Sequence, residues 1–407
     1  MRALFVVQRY GEHIAGGSEQ CCRLFAEQMA ARGHDVEVAT SCAKNYTDWE
    51  NEFPAGTERI NDVLVHRHPV DRPRIGEGFS ALDAAVVWGR HPTPLATQER
   101  WAAEMGPRTT ELPGWLADRA PDFDVVIFFT YLYYTTIFGL PAVAGRAPVL
   151  FQPTAHVEPH LTVPLFDKIF RLPDGYGFLT VEEADLVNGR FGHRAVEEVV
   201  GVGSDLDLEG DGARFRERHG LGDAPFLLYI GRVDPGKGSL EVYDYFVTYK
   251  ERNPSDLKFV IVGDPVMDLP DHPDIVGAGF VPEQEKLDAI AACTVFLQPS
   301  YFESFSMALT EAWSLRCPAL VQGRCRVLAG QAERSGGAIV YDGFPEFEAA
   351  VDLLLNDAEL LERLGANGRA YIEDRYRWDD LMVRYEDLLA RVVDAFEVRG
   401  LRGSLGR

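Results

Sequence analysis

Short apolar runs recur along the chain, each followed by a turn and then an amphipathic stretch. Ala3–Val7, Asp35–Thr40, Val63–His68, residues 125–129 and Val149–Gln152 read as strands of the first half. Phe226–Ile230, Leu257–Gly263, Ile275–Val281, Val295–Gln298 and Pro318–Val321 read as strands of the second. Most are continuous rather than alternating, which marks strands buried on both faces. Helical spacing fills the intervals: about Ser18–Arg32 stopped by Gly33, much of 76–118, Val181–Asn188, a stretch from about Ser239, 283–292, a stretch from about Phe305, and most of 346–398. Strand–helix alternation of this kind predicts an α/β class with two successive open parallel sheets and crossover helices. Residues 44–60 read as a polar loop. Val199–Asp205 with Gly210, Gly212 and Gly220 reads as a glycine-rich linker, which predicts domains over 1–202 and 203–380. The final segment, 381–407, reads as a helix long enough to reach back over the first domain, with a frayed tail from Arg399.

Length agrees, since 407 residues at about 150 per domain give two or three domains. The 46% hydrophobic content suits a sizeable core. With 40 basic against 63 acidic residues the net charge is −23, which argues against binding to nucleic acid or an anionic membrane. Solubility accounts for the acidity equally well. Cys21, Cys22, Cys42, Cys293, Cys317 and Cys325 show neither a C-x-x-C pair nor metal-ligand spacing, so free thiols in a reducing cytoplasm are expected. The N-terminus reads as a first strand, not a signal peptide. Residues 125–145 are uncharged and long enough to span a bilayer, but their Thr, Tyr, Gly139 and Pro141 fit a buried strand and core helix better.

The chemistry concentrates in the stretch from Val295 to Trp313: a buried strand, a turn marked by Pro299 and Ser300, then a helix. Ser304 reads as its N-cap. Phe305, Ala308, Leu309, Ala312 and Trp313 form the inward stripe, with Met307, Thr310, Glu311 and Ser314 opposite. A strand running into a helix N-terminus binds anions readily, through free amides and the helix dipole. A diphosphate at the amides of Phe305, Ser306 and Met307 would place an attached ribose near Glu311, roughly 9 Å along at ~1.5 Å rise per residue. Glu303, on the other side, would face the transferred group. The Glu303–Glu311 spacing says little alone, because 63 acids in 407 residues put an acid at any offset about one time in six.

Other candidates are weaker taken singly. Arg232 and Lys237, in a turn with Gly231, Gly236 and Gly238, could hold a pyrophosphate or be solvated charges. Gly16 and Gly17 could admit a ligand, or simply start a helix tightly against the sheet. His66, Arg67, His68, Arg72 and Arg74 could meet an acidic acceptor, although a solvated loop reads as well. His156 follows a strand end, where open α/β sheets bind ligands, yet a lone loop His is often incidental.

Taken together, these segments resemble a known family. Gly231-Arg232 with Lys237-Gly238, Ile261-Val-Gly-Asp264, Gly279-Phe-Val281 and Pro299-Ser-Tyr-Phe-Glu303 through Glu311-Ala312 resemble the retaining glycosyltransferases of the GT-B fold, family four (glycosyl transferases group 1). Gly16-Gly-Ser-Glu19, His156 and Val202-Gly-Ser-Asp205 match more loosely. The resemblance implies two Rossmann-like domains facing each other across a donor-binding cleft that closes on the donor. The N-terminal one would take the acceptor and the C-terminal one the nucleotide sugar.

Residue by residue, the resemblance implies that Arg232, Lys237, Gly17 and the backbone at Ser306, Met307 and Ala308 bind the donor diphosphate. Glu303, Phe305 and Ser306 would meet the sugar, Glu311 the ribose, and Gly263, Phe280 and Val281 the base. Glu303 and His156 are the catalytic candidates. No metal or cofactor is implied, the UDP- or GDP-sugar being a substrate. The implied activity is retaining hexose transfer to a glycan, lipid-linked or small-molecule acceptor, cytoplasmic, without a transmembrane segment but compatible with peripheral membrane contact. An epimerase or hydrolase of the same fold and a non-catalytic nucleotide-sugar-binding subunit are the rivals. Three places depart from the family: Ser306 where Gly is frequent, Leu315-Arg-Cys317 before Pro318, and a longer loop Gly323–Gly337 whose arginines and Gln331 would shape the sugar pocket.

Overall fold

The computed structural model describes residues 1–14, 16–74, 76–233, 235–263 and 271–405. Contacts divide it into two units, Met1–Gly201 with the chain from Met382 onward, and Val202–Leu381. Each is a Rossmann-like α/β domain built on one sheet.

In the first unit the strands are β1 (Arg2–Val6), β2 (Asp35–Ser41), β3 (Gly56–Ile60), β4 (Val63–His68), β5 (Val125–Phe129), β6 (Val149–Gln152), β7 (Gly175–Phe178) and β8 (Val196–Val199). Their order is β3-β4-β2-β1-β5-β6-β7-β8, parallel except for β3 on β4. The uncharged stretch after Asp124 is β5, fully buried, followed by the core helix Tyr134–Val143. Among the described residues no helix is long and apolar enough to cross a membrane.

Two expectations in this unit are corrected. Gly56–Ile60 is an edge strand, not loop, because Asn61 and Asp62 both take left-handed φ (47° and 66°) and turn the chain as a two-residue hairpin. The basic cluster is a loop only at Arg72, which is exposed, and Arg74, which is half-buried. His66, Arg67 and His68 lie on β4 and are 9%, 4% and 6% exposed. They are paired internally: His66 with Glu37 at 2.6 Å, Arg67 with Glu58, and His68 with Glu111 at 3.2 Å. Burying such polar groups in a sheet is tolerable only because each has its partner, and burial lowers the His68 pKa despite Glu111.

The second unit holds β9 (Phe226–Ile230), β10 (Lys258–Val262), β11 (Ile275–Gly279), β12 (Val295–Gln298), β13 (Ala319–Gln322) and β14 (Ala338–Tyr341). All are parallel, in the order β11-β10-β9-β12-β13-β14. The chain winds one way from β9 and the other way from β12, so the order reverses between these two strands, where such sheets open a ligand crevice. Here too two readings change. Part of the expected linker is the helix Gly212–Arg218, capped by Asp211 and fixed to helix Glu283–Ala292 by a two-pronged Arg214–Asp288 contact at 2.6 and 2.7 Å. The supposed loop after Gly323 contains the helix Arg326–Ser335, ended by left-handed Gly336. Its Val327, Leu328, Gln331 and Ala332 are buried, an inward stripe at helical spacing.

The last helix, Trp378–Leu405, passes from the second unit into the first. There Tyr385, Leu388, Leu389 and Val392 are wholly buried, and the Tyr385 hydroxyl donates to Gln152 Oε1 at 2.6 Å. It does not fray at Arg399, which pairs with Asp174 at 2.7 Å.

Candidate active site

The loops after β9 and β12 meet at the point where the strand order reverses in the second unit. Gly238, at φ 72°, starts the helix Ser239–Arg252, and a Cβ there would sit 2.1 Å from the Pro299 carbonyl oxygen. That close approach, open only to glycine, seats the turn Pro235–Lys237 on the turn after β12. As a result Lys237 Nζ lies 2.9 Å from Glu303 Oε1. Arg232 is exposed in the same loop, and its carbonyl accepts from the Tyr229 hydroxyl at 2.8 Å. Gly263, just after β10, is equally crowded, since a Cβ there would meet the Gly231 carbonyl oxygen at 2.1 Å. Its amide donates to Gly279 O at 2.9 Å. Beyond Gly279, Phe280 is 69% exposed and Val281 half-buried. Asp264 lies outside the described residues.

The helix of the focal stretch runs Met307–Ser314, two residues later than expected. The residue at its cap is Ser306, not Ser304, in a left-handed conformation (φ 77°, ψ 80°) and without a side-chain capping bond. Ser306 Oγ instead takes a hydrogen bond from Gln298 Nε2 at 3.1 Å, which leaves the first-turn amides at Met307 and Ala308 uncapped by it. The Phe305 ring is 2% exposed and packs edge-on against Tyr376 at 5.2 Å, so only its backbone is available to a ligand. The polar face is more buried than the spacing implied: Thr310 and Ser314 donate back to the helix carbonyls of Met307 and Thr310.

Starting at Met307 brings Glu311 to about 6 Å along the helix at ~1.5 Å per residue. Glu311 Oε2 is 2.8 Å from Lys286 Nζ, which also reaches Glu283 at 2.7 Å. Burial pushes the Glu311 carboxyl up, and Lys286 pulls it only part of the way back. For Lys286 burial opposes the charge, but the two carboxylates outweigh it and raise its pKa. Lys286 and Gln298 were not singled out from the sequence. Lys286 carries no local signal toward Glu311, whereas Gln298 is visible as the polar end of an otherwise apolar strand. A further group flanks the turn: the Tyr301 hydroxyl donates to Glu241, and burial, then Glu241, pushes it up to about 12.

In the first unit Gly16 caps the helix Gly17–Ala31 and Gly17 is its first residue. Glu19 folds back so that a Cβ on Gly16 would fall 2.3 Å from its Oε2, and Arg9 holds the carboxylate at 2.6 Å. Gly16 thus makes space for a buried ion pair, while a Cβ on Gly17 would meet nothing within 4 Å. His156 follows β6. The amide before it, Ala155 N, donates to the buried Glu183 carboxylate at 2.6 Å. The His156 ring lies 3.6 Å from Glu158, which also meets His160 at 3.4 Å and accepts from the Tyr131 hydroxyl at 2.5 Å. His160 is 3.4 Å from Asp83 as well. Burial opposes charge on His160, but hydrogen bonds to Asp83 and Glu158 raise its pKa to about 9.

Two Rossmann-like units, the second with cations and carboxylates gathered where its strand order reverses, make this a two-domain protein of the GT-B fold. Sucrose-phosphate synthase from Thermosynechococcus elongatus superposes with a TM-score of 0.70 over 97% of this chain and 100% of that one, at 15% identity. Anabaena HepE, solved in complex with UDP and glucose, does so at 0.68 over 96% and 99%, at 14% identity. At such identities the likeness is one of fold. Residues 212–371, most of the second unit, match the family model of glycosyl transferases group 1. An alpha-D-kanosaminyltransferase of Streptomyces kanamyceticus is 33% identical over 175 residues, 40% of this chain and 45% of the relative. The chain thus spans about half the length of such curated relatives.

Proposed function

We propose that the protein is a retaining glycosyltransferase that moves a hexose from a UDP- or GDP-sugar to a glycan, lipid-linked or small-molecule acceptor. The observation that carries this is the Lys237–Glu303 contact, 2.9 Å, with Glu303 in the turn that leads into helix Met307–Ser314. Arg232, Lys237, the amides at Ser306, Met307 and Ala308, and Gly17 would take the diphosphate. Charge developing on the leaving phosphate would be stabilised by these cations and amides, an electrostatic contribution that asks for no metal. Glu303 and the backbone of Phe305 and Ser306 would hold the sugar, Glu311 the ribose, and Gly263, Phe280 and Val281 the base. His156 would face the sugar from its own unit. Departure of the phosphate and attack on the same face, through an oxocarbenium-like state, would retain the anomeric configuration.

The family match over 212–371 and the relative's name support transfer over the rival readings. Six free cysteines support a cytoplasmic setting. The test is a thermal-shift panel of UDP-glucose, UDP-N-acetylglucosamine and GDP-mannose, followed by mass spectrometry of products with candidate acceptors. Transfer with net retention is the expected result. Rapid isomerisation or hydrolysis without acceptor would replace the transferase by an epimerase or hydrolase. Unchanged in-cell product from Glu303→Gln would make it a binding subunit.

A further inference from the structure

Gln298 ends an apolar strand whose other members, Val295, Phe296 and Leu297, are fully buried, and it is itself only 4% exposed. Its Nε2 donates to two atoms, Glu303 Oε1 at 3.0 Å and Ser306 Oγ at 3.1 Å. Its own Oε1 is buried and has no hydrogen-bond partner. An orphaned amide oxygen is costly in a strand where Leu or Met would pack freely. Ser306 carries a second cost, since its left-handed φ of 77° is one that glycine adopts more readily. Both costs converge on one pair of hydrogen bonds. They also converge on one atom: Glu303 Oε1 receives both Lys237 and Gln298, so both contacts hold the carboxylate through the same oxygen.

Resting on the reading of Glu303 as the sugar-binding carboxylate, we propose that Gln298 is a positioning residue. With Ser306 as its second anchor, it fixes the Glu303 carboxylate so that Oε2 is presented to a hydroxyl of the transferred sugar. Local strain kept where a functional group must be aimed is the general pattern behind this arrangement.

The test compares wild type, Gln298→Met, Gln298→Glu, Glu303→Gln and the Gln298→Met/Glu303→Gln double variant. Each is assayed with whichever of UDP-glucose, UDP-N-acetylglucosamine and GDP-mannose the wild type turns over fastest. Gln298→Met is expected to melt at or above the wild-type temperature and to lose about 10- to 100-fold in kcat, with donor KM within about threefold, as for loss of one hydrogen bond to a charged group. In the Glu303→Gln background the same change is expected to cost less than about threefold, since coupled residues are not additive. Gln298→Glu keeps the shape, sets a second carboxylate beside Glu303, and is expected to lose kcat likewise, which covers the case of a misfolded Met variant. Wild-type kcat in Gln298→Met, or losses that multiply in the double variant, would overturn the proposal while leaving the Glu303 reading intact. Wild-type turnover in Glu303→Gln would overturn both.

Discussion

Lys237 and Glu303, separated by 66 residues in sequence, form an ion pair of 2.9 Å with the carboxylate only 12% exposed. The pair is assembled by the Gly238–Pro299 contact rather than by either local sequence. In the proposed reading the lysine turns toward a diphosphate when one binds. Lys237→Ala is expected to weaken UDP binding by about 1.5–3 kcal/mol, the scale of a hydrogen bond to a charged group. Isothermal calorimetry with UDP checks this, and unchanged affinity would remove Lys237 from the diphosphate site.

Gly238 and Gly279 have nearly the same φ, 72° and 71°, but different surroundings. A Cβ on Gly238 would collide with the Pro299 carbonyl, whereas one on Gly279 would meet nothing within 4 Å. Gly279→Ala is expected to cost about 1 kcal/mol for the left-handed backbone, and Gly238→Ala at least about 3 kcal/mol. Equal losses in urea melts would mean that the Pro299 contact does not constrain the loop.

Glu311 has its pKa raised by burial and leans on Lys286. A carboxyl whose folded pKa lies above its unfolded value contributes stability below the unfolded pKa and loses it as pH rises through the folded one. Removing the cation in Lys286→Met raises the folded pKa further, so its penalty is expected to grow between pH 5 and pH 8, reaching about 1–3 kcal/mol. Denaturant unfolding at the two pH values gives the comparison. A penalty independent of pH would show that Lys286 matters for packing alone.

In the first unit His160 has its pKa raised to about 9, while burial is outweighed at Asp83 and Glu158, whose carboxyls are held below the ordinary range. The imidazolium therefore contributes stability that is complete below about pH 6.5 and disappears as pH rises through about 9. The advantage of wild type over His160→Gln is expected to fall between these limits, by at most about 3 kcal/mol. Melting temperatures of both proteins from pH 6 to pH 9.5 test it; parallel curves would show that folding does not shift the His160 pKa. At the acid end, the contributions of Asp83 and Glu158 are lost as pH falls through their depressed values.

Because fixed cations and amides are proposed to bear the leaving diphosphate, turnover is expected to survive excess EDTA with less than about a twofold change. Loss of activity in EDTA that added Mg²⁺ or Mn²⁺ restores would show that the diphosphate requires a divalent ion.

Much of the fold was readable because buried parallel strands are continuous apolar runs, as in Val125–Phe129 and Phe226–Ile230. What escaped were elements without that signature. Edge strand Gly56–Ile60 is mostly exposed and is defined by the Asn61-Asp62 turn and its pairing with β4. Helix Arg326–Ser335 hid behind glycines and arginines that read as loop. At the site, Glu303, Glu311, Arg232 and Lys237 stood out as charged residues in turns and at a helix start. Gln298 and Lys286 did not, because what gives each its place is a partner from another element.

The sequence by itself determined the α/β class and the order of strands and helices, since hydrophobic periodicity and turn residues act within a few positions of one another. Tertiary structure alone decided which charges meet. Lys237 reaches Glu303 because Gly238 lets two loops touch, and Lys286 on helix Glu283–Ala292 reaches Glu311 on helix Met307–Ser314. It also decided that His66, Arg67 and His68 are internal, because the fold brings Glu37 and Glu58 from neighbouring strands and Glu111 from the start of a helix to partner them. Charge pairing over tens of residues depends on the folded path of the backbone, and no local pattern encodes it.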